Sequence, residues 1–128
     1  MRLLLAYNAD GGLANAAFHT AHRLLSPSTY ACPLCALTHG PLAMRRRWRA
    51  TLDGLGVPVV FLHRDEIAEV HPSLAGLSLP AILTDRGPDD LHPTVLLRAD
   101  AIEACADLNA LIAALETALA ERASERGL

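Results

Sequence analysis

Leu79-Pro80-Ala81-Ile82-Leu83-Thr84 is the stretch of this sequence that decides the fold. The run is short and apolar and has a proline at its start, which is typical of a strand whose first residue need not donate to the ladder. A second apolar run, Thr94 to Arg98, follows a turn-rich loop that carries Gly87-Pro88. The two runs therefore predict neighbouring strands joined by a turn.

Two further strands and three helices are predicted around this pair. Apolar runs predict strands over Arg2 to Tyr7 and Val57 to Leu62, while periodic apolar positions predict helices over 13–25, from Pro41 to Gly54 or Gly56, and from Asp107 to Arg122. The order is strand, helix, helix, strand, strand, strand, helix. It predicts one α/β domain over residues 1–128, with a small mixed four-stranded sheet flanked by helices.

Composition limits the class of protein. The chain has 128 residues, 52% of them hydrophobic, which suits a single globular domain. Its apolar runs are too short for a membrane span, and the N-terminus does not resemble a signal peptide, so we expect a cytoplasmic protein. The formal net charge of −3 argues against general nucleic-acid binding. Three cysteines, an odd number, fit a reducing compartment.

Cys32-Pro33-Leu34-Cys35 is the strongest functional signal. Two thiols at this spacing can form a disulfide or bind one metal ion, and the sequence supports both outcomes. Pro27 ends the preceding helix, and the segment from Ser26 to Gly40 is predicted to be irregular. The cysteine pair is therefore expected in a loop between two helices.

The order of elements, the early CPLC motif and the proline-led strand together resemble the thioredoxin-like superfamily. Arg98-Ala99-Asp100-Ala101-Ile102, followed by a leucine-rich helix, is similar to the tail of DCC-type thiol-disulfide oxidoreductases. In that superfamily the proline before the third core strand is cis and lies beside the redox cysteines. The resemblance implies a thioredoxin-like fold and assigns this position to Pro80.

The resemblance also implies an activity. Cys32 would be the attacking thiol and Cys35 the resolving thiol in thiol-disulfide exchange with a thiol or disulfide protein partner, with no cofactor. One difference from the family is visible in the sequence. The family carries its cysteine pair directly after strand one, whereas here Asp10-Gly11-Gly12 stands at that place and Cys32 follows about twenty residues later.

Metal binding is the alternative function for the same cysteines. His19, His22 and His39 lie within a short stretch around Cys32 and Cys35, and two thiolates with two imidazoles form a common tetrahedral zinc set. His19 and His22 are three residues apart on the predicted first helix, where their side chains can point the same way. Zinc is therefore a candidate ligand, in a structural or an open site.

A third hypothesis is an interaction domain without chemistry. Arg45-Arg46-Arg47-Trp48-Arg49 places four arginines around a tryptophan that belongs to an apolar stripe. The simplest interpretation is the solvated face of an amphipathic helix, and the alternative is a docking face for an acidic partner. His63-Arg64-Asp65-Glu66 is interpreted as a solvated turn at a strand end, and Cys105 as a packing residue.

Overall fold

A computed structural model of the chain describes residues 1–8, 33–39 and 44–125. The helices and strands of the described residues are β1 (Arg2–Ala6), α1 (Pro33–Thr38), α2 (Arg46–Gly54), β2 (Val59–Leu62), α3 (Ile67–Val70), a 3-10 turn (Pro72–Leu74), β3 (Ala81–Asp85), β4 (Thr94–Leu97), α4 (Ala99–Glu103) and α5 (Leu108–Glu125).

The four strands form one mixed sheet in the order β2-β1-β3-β4. β1 pairs with β2 in parallel, from Leu3 opposite Val59 to Ala6 opposite Leu62. β3 runs antiparallel to both of its neighbours, with Ala6 opposite Ala81 at one end of its pairing with β1. The predicted α/β class and mixed four-stranded sheet are therefore confirmed.

Side chains on β1 alternate between two apolar layers. Leu3, Leu5 and Tyr7 belong to a core that also contains Leu34 of α1 and Trp48 of α2. The C-terminal helices pack on this same layer. Leu4 and Ala6 face the opposite layer, where α3 and the 3-10 turn cover the sheet. Because both faces are buried, β1 is apolar at every position after Arg2 rather than alternating.

The expectation of an irregular segment from Ser26 to Gly40 is wrong for its second half, because Pro33–Thr38 forms α1. Proline suits the first position of a helix, since its missing N–H is unpaired there in any case. Leu34 and Thr38, one helical turn apart, are both fully buried. The gain from burying this face outweighs the turn-like composition of the segment around it.

The second helix begins later than predicted. Met44 is in extended backbone and forms an isolated antiparallel bridge with His39, and α2 starts only at Arg46. The arginine run behaves as expected, because Trp48 and Leu52 are buried while Arg46, Arg47 and Arg49 are exposed. α4 is a helix that the sequence patterns did not predict, and α5 extends a little further than expected.

At the N-terminal end of β1, a buried ion network joins three parts of the chain. Arg2 Nε and Nη2 donate to the two oxygens of Asp85, at 2.9 and 2.7 Å. His71 Nε2 lies 2.9 Å from Asp85 Oδ2, and both side chains are almost entirely buried. The Arg2 guanidinium holds the pKa of Asp85 below its usual value, and His71 adds to this effect against the opposing influence of burial.

Within the described residues, no helix combines the length and apolar character needed to cross a membrane.

Candidate functional site

The candidate site lies at the C-terminal end of β1, where the parallel pair β1 and β2 also ends. Tyr7 follows β1 directly, and its backbone N–H donates to the carbonyl of Leu62 at 2.8 Å. Tyr7 is almost fully buried and faces the layer that contains α1. The carboxyl ends of parallel strands are the usual location of sites in α/β proteins.

Pro80 lies at the same place. The β1–β3 pairing ends with Ala6 opposite Ala81, and Tyr7 and Pro80 are the neighbours of these two residues just beyond the last pair. Pro80 is buried, and its peptide bond with Leu79 is cis, as the resemblance implied.

α1 contributes Leu34 of the CPLC motif to this layer. Pro33 is the first residue of the helix, so Cys32 stands immediately before the helix in sequence and Cys35 lies in its first turn. Leu34 is fully buried in the core cluster that also contains Tyr7, and α1 packs against α4 and α5. Cys32 and the side chain of Cys35 lie outside the described residues.

Thr38 is the last residue of α1, and its hydroxyl makes two polar contacts. Its hydroxyl donates to the carbonyl of Leu34 at 2.7 Å and lies 2.8 Å from His39 Nδ1. Since the hydroxyl hydrogen is engaged by Leu34, the threonine oxygen is left to accept from the Nδ1–H of His39. The contact with Thr38 thus orients the His39 ring.

Tyr7 is the buried centre of a ring cluster. The His39 ring meets the Tyr7 ring edge-on, with 5.7 Å between centroids, and Phe61 stacks parallel to Tyr7 at 6.2 Å. His63 lies tilted at 6.4 Å from Tyr7. These four side chains, which we call the Tyr7 cluster, come from β2 and from the residues that directly follow β1, β2 and α1.

Burial raises the pKa of Tyr7 to about 12, although nearby Thr38 and Trp48 act in the opposite direction. Both groups are close to the phenol, yet neither Tyr7 Oη nor Trp48 Nε1 makes a hydrogen bond of good geometry. A misaligned donor contributes little to stability, so these neighbours do not offset the effect of burial. Tyr7 therefore remains a neutral phenol at ordinary pH.

His63 and Glu66 form a pair at the rim of the cluster. Glu66 Oε1 accepts from the backbone N–H of His63 at 3.1 Å and lies 2.5 Å from His63 Nδ1. Both side chains are more than two-fifths exposed, as expected for a solvated turn. The contact with Tyr7 was not predicted; the position of His63 just after a strand was the only signal in the sequence.

The metal hypothesis falls largely on residues that the structure leaves undescribed. His19, His22 and Cys32 lie outside the described residues, as does the side chain of Cys35. His39 is described, with Nδ1 engaged by Thr38. In residues 1–8, 33–39 and 44–125, no group of three or more histidine, cysteine or acidic side chains is placed to hold a metal ion.

Cys105 lies between α4 and α5. Its thiol is half-buried against the core and donates to the carbonyl of Ala101 at 3.4 Å. Burial raises the pKa of this thiol, and the Asp107 carboxylate adds to the effect. Cys105 is therefore a packing residue with little thiolate at neutral pH, as the sequence suggested.

Comparisons of the chain with protein families, with curated proteins and with solved structures gave no match.

Proposed function

We propose that the chain is a thioredoxin-like thiol-disulfide oxidoreductase module that exchanges disulfides through Cys32 and Cys35. The fold supports this proposal. Its sheet has the order β2-β1-β3-β4 with β3 alone reversed; the described residues add the helices α1 and α2 between β1 and β2, and further helices after β4. This arrangement resembles the thioredoxin fold.

The observation that carries the proposal is the shared location of α1 and Pro80. The CPLC motif leads into α1, which places Leu34 in the same core cluster as Tyr7, and the cis Leu79–Pro80 bond directly precedes Ala81, which pairs with Ala6 next to Tyr7. The separation of the motif from β1 in the sequence is therefore compatible with a position near Pro80. Thr38 and His39, at the end of α1, lie near Tyr7, so the chain returns to this end of β1 after α1 begins.

The proposed reaction moves two electrons from the dithiol to a partner disulfide. The Cys32 thiolate attacks one sulfur of the partner, which forms a mixed disulfide and releases the other partner sulfur as a thiolate that takes up a proton. Cys35 loses its proton and attacks Cys32 Sγ, which releases the second partner thiol. The protein is left with a Cys32–Cys35 disulfide, and the partner is reduced.

Thiol trapping tests the proposal. With a small disulfide-bonded protein such as insulin as the partner, the wild-type chain should reduce it, and Cys32→Ser should fall to the uncatalysed rate. Cys35→Ser should accumulate a mixed disulfide that a gel without reductant resolves. Cys105→Ser is the matched control and should behave as the wild-type chain. Equal rates for the wild-type chain and Cys32→Ser would overturn the proposal.

Elemental analysis of the same preparation separates redox exchange from metal binding. The redox proposal expects two thiols that a mild oxidant converts to one disulfide in a folded, metal-free chain. Stoichiometric zinc after gentle purification, together with loss of folding in Cys35→Ser, would instead support a metal-binding module formed by the cysteines and nearby histidines.

A further inference from the structure

β2 is an edge strand, and among the described residues no strand covers its outer side. The ladder to β1 uses the carbonyls of Pro58 and Leu62. Since parallel strands direct alternate residues to alternate sides, the N–H and C=O groups of Val59 and Phe61 point away from the sheet.

The side chains of this edge are apolar. Val59–Leu62 carries no charge, although natural edge strands commonly use charged residues to block pairing with other chains. Phe61 is 39% exposed despite its size. The strand therefore combines unpaired backbone groups with an exposed aromatic ring.

A groove of about 350 Å³ runs between this edge and α2. Its apolar lining comes from Met44, Leu52 and the strand residues Val59 and Phe61, and its charged lining is one cation and one anion. The charged residues are Arg49 and Asp53, which lie four residues apart on α2 and are both exposed. The groove thus presents opposite charges one helical turn apart.

We propose that the β2 edge and this groove form the interface with a second copy of the same chain. A two-fold axis through Val60 sets Val59 of one copy opposite Phe61 of the other, where their outward backbone groups can pair as antiparallel strands. The same axis runs the two α2 helices in opposite directions on one face of the joined sheet. Arg49 of each copy then faces Asp53 of the other.

This charge arrangement favours a second copy over an unrelated partner. A two-fold interface brings one patch against itself, so a patch that holds both signs in the right order is complementary to itself. A purely basic groove would instead favour an acidic partner, and the exposed arginines Arg46 and Arg47 do not line this groove. Phe61 supplies the apolar centre that the paired charges surround.

Charge reversal tests the interface. In reductant, which excludes cysteine cross-links, sedimentation over a range of concentrations should give a mass near twice the 13.7 kDa of one chain. Arg49→Glu and Asp53→Arg should each shift the chain to the monomer, because each places like charges opposite one another. The double variant R49E/D53R should restore the dimer.

The control is Arg47→Glu, which makes the same charge change on α2 outside the groove and should leave the dimer intact. Circular dichroism of every variant checks that the fold is retained. A wild-type chain that stays monomeric at all concentrations overturns the proposal, and so does a dimer that both single reversals leave unchanged.

Discussion

The two ends of β1 differ in how many hydrogen bonds their buried polar groups make. At the N-terminal end, Arg2, Asp85 and His71 form a closed network in which the buried carboxylate has several donors. At the C-terminal end, the buried Tyr7 hydroxyl lacks an aligned partner, and its neighbours His39 and His63 lie closer to the surface. The N-terminal end therefore gives its buried carboxylate several donors, whereas the C-terminal end keeps a buried hydroxyl without an aligned partner.

Removal of the buried carboxylate should have the largest effect. We expect Asp85→Ala to lower the free energy of unfolding by about 3 kcal/mol, because Arg2 and His71 lose the anion that they share. Urea denaturation at pH 7 measures the loss. Asp89→Ala removes an exposed carboxylate from the following loop and should change stability by less than about 0.5 kcal/mol. A loss as small in Asp85→Ala would contradict the closed network.

Acid should reduce the contribution of Asp85 to the free energy of unfolding. The pKa of Asp85 is lowered in the folded chain, so its stabilisation is present above the unfolded value of about 3.9 and is lost as pH falls through the folded pKa. The stability difference between the wild-type chain and Asp85→Ala should therefore narrow when denaturation is repeated at decreasing pH below 4. A difference that stays constant down to unfolding would mean that the ion pairs contribute nothing.

Thr38→Val tests the polar contacts of Thr38 near the C-terminal end of β1. The substitution removes the hydrogen bonds to Leu34 and His39 at a fully buried position, and we expect a loss of about 1–2 kcal/mol. Thr51→Val is a matched control, because Thr51 makes the same type of bond to the carbonyl four residues earlier but on the exposed side of α2. Equal losses in the two variants would show that the His39 contact adds no stability.

Tyr7→Phe should have the smallest effect. Because the hydroxyl has no aligned partner, its removal should change stability by about 0.5 kcal/mol or less. Ultraviolet titration supplies an independent measure, since a transition near pH 12 in the wild-type chain should disappear from the variant. A loss comparable to that of Thr38→Val would show that Tyr7 is hydrogen-bonded in solution.

Sequence patterns predicted the strands and the final helix well, because alternation and helical periodicity are local signals. They were wrong about α1 and missed α4. Both helices are short, and short helices depend on burial against the rest of the fold more than on their own propensity. Pro80 was identified from its place before a strand and from the resemblance, and the structure adds that Ala81, the residue after it, pairs with Ala6 next to Tyr7.

The Tyr7 cluster could not be predicted, because its members are far apart in the sequence. Tyr7, His39, Phe61 and His63 meet only after β1 and β2 pair in one register. A shift of that register by one residue would turn the side chains of β2 to the other face.

By itself the sequence determined the α/β class, the CPLC pair and the amphipathic character of α2, since each depends on neighbouring residues. Only the tertiary structure decided that Asp85 forms an ion pair with Arg2. It also decided that Tyr7, Pro80 and α1 lie near the same end of β1. Those contacts depend on sheet register and helix packing, which many distant residues set together.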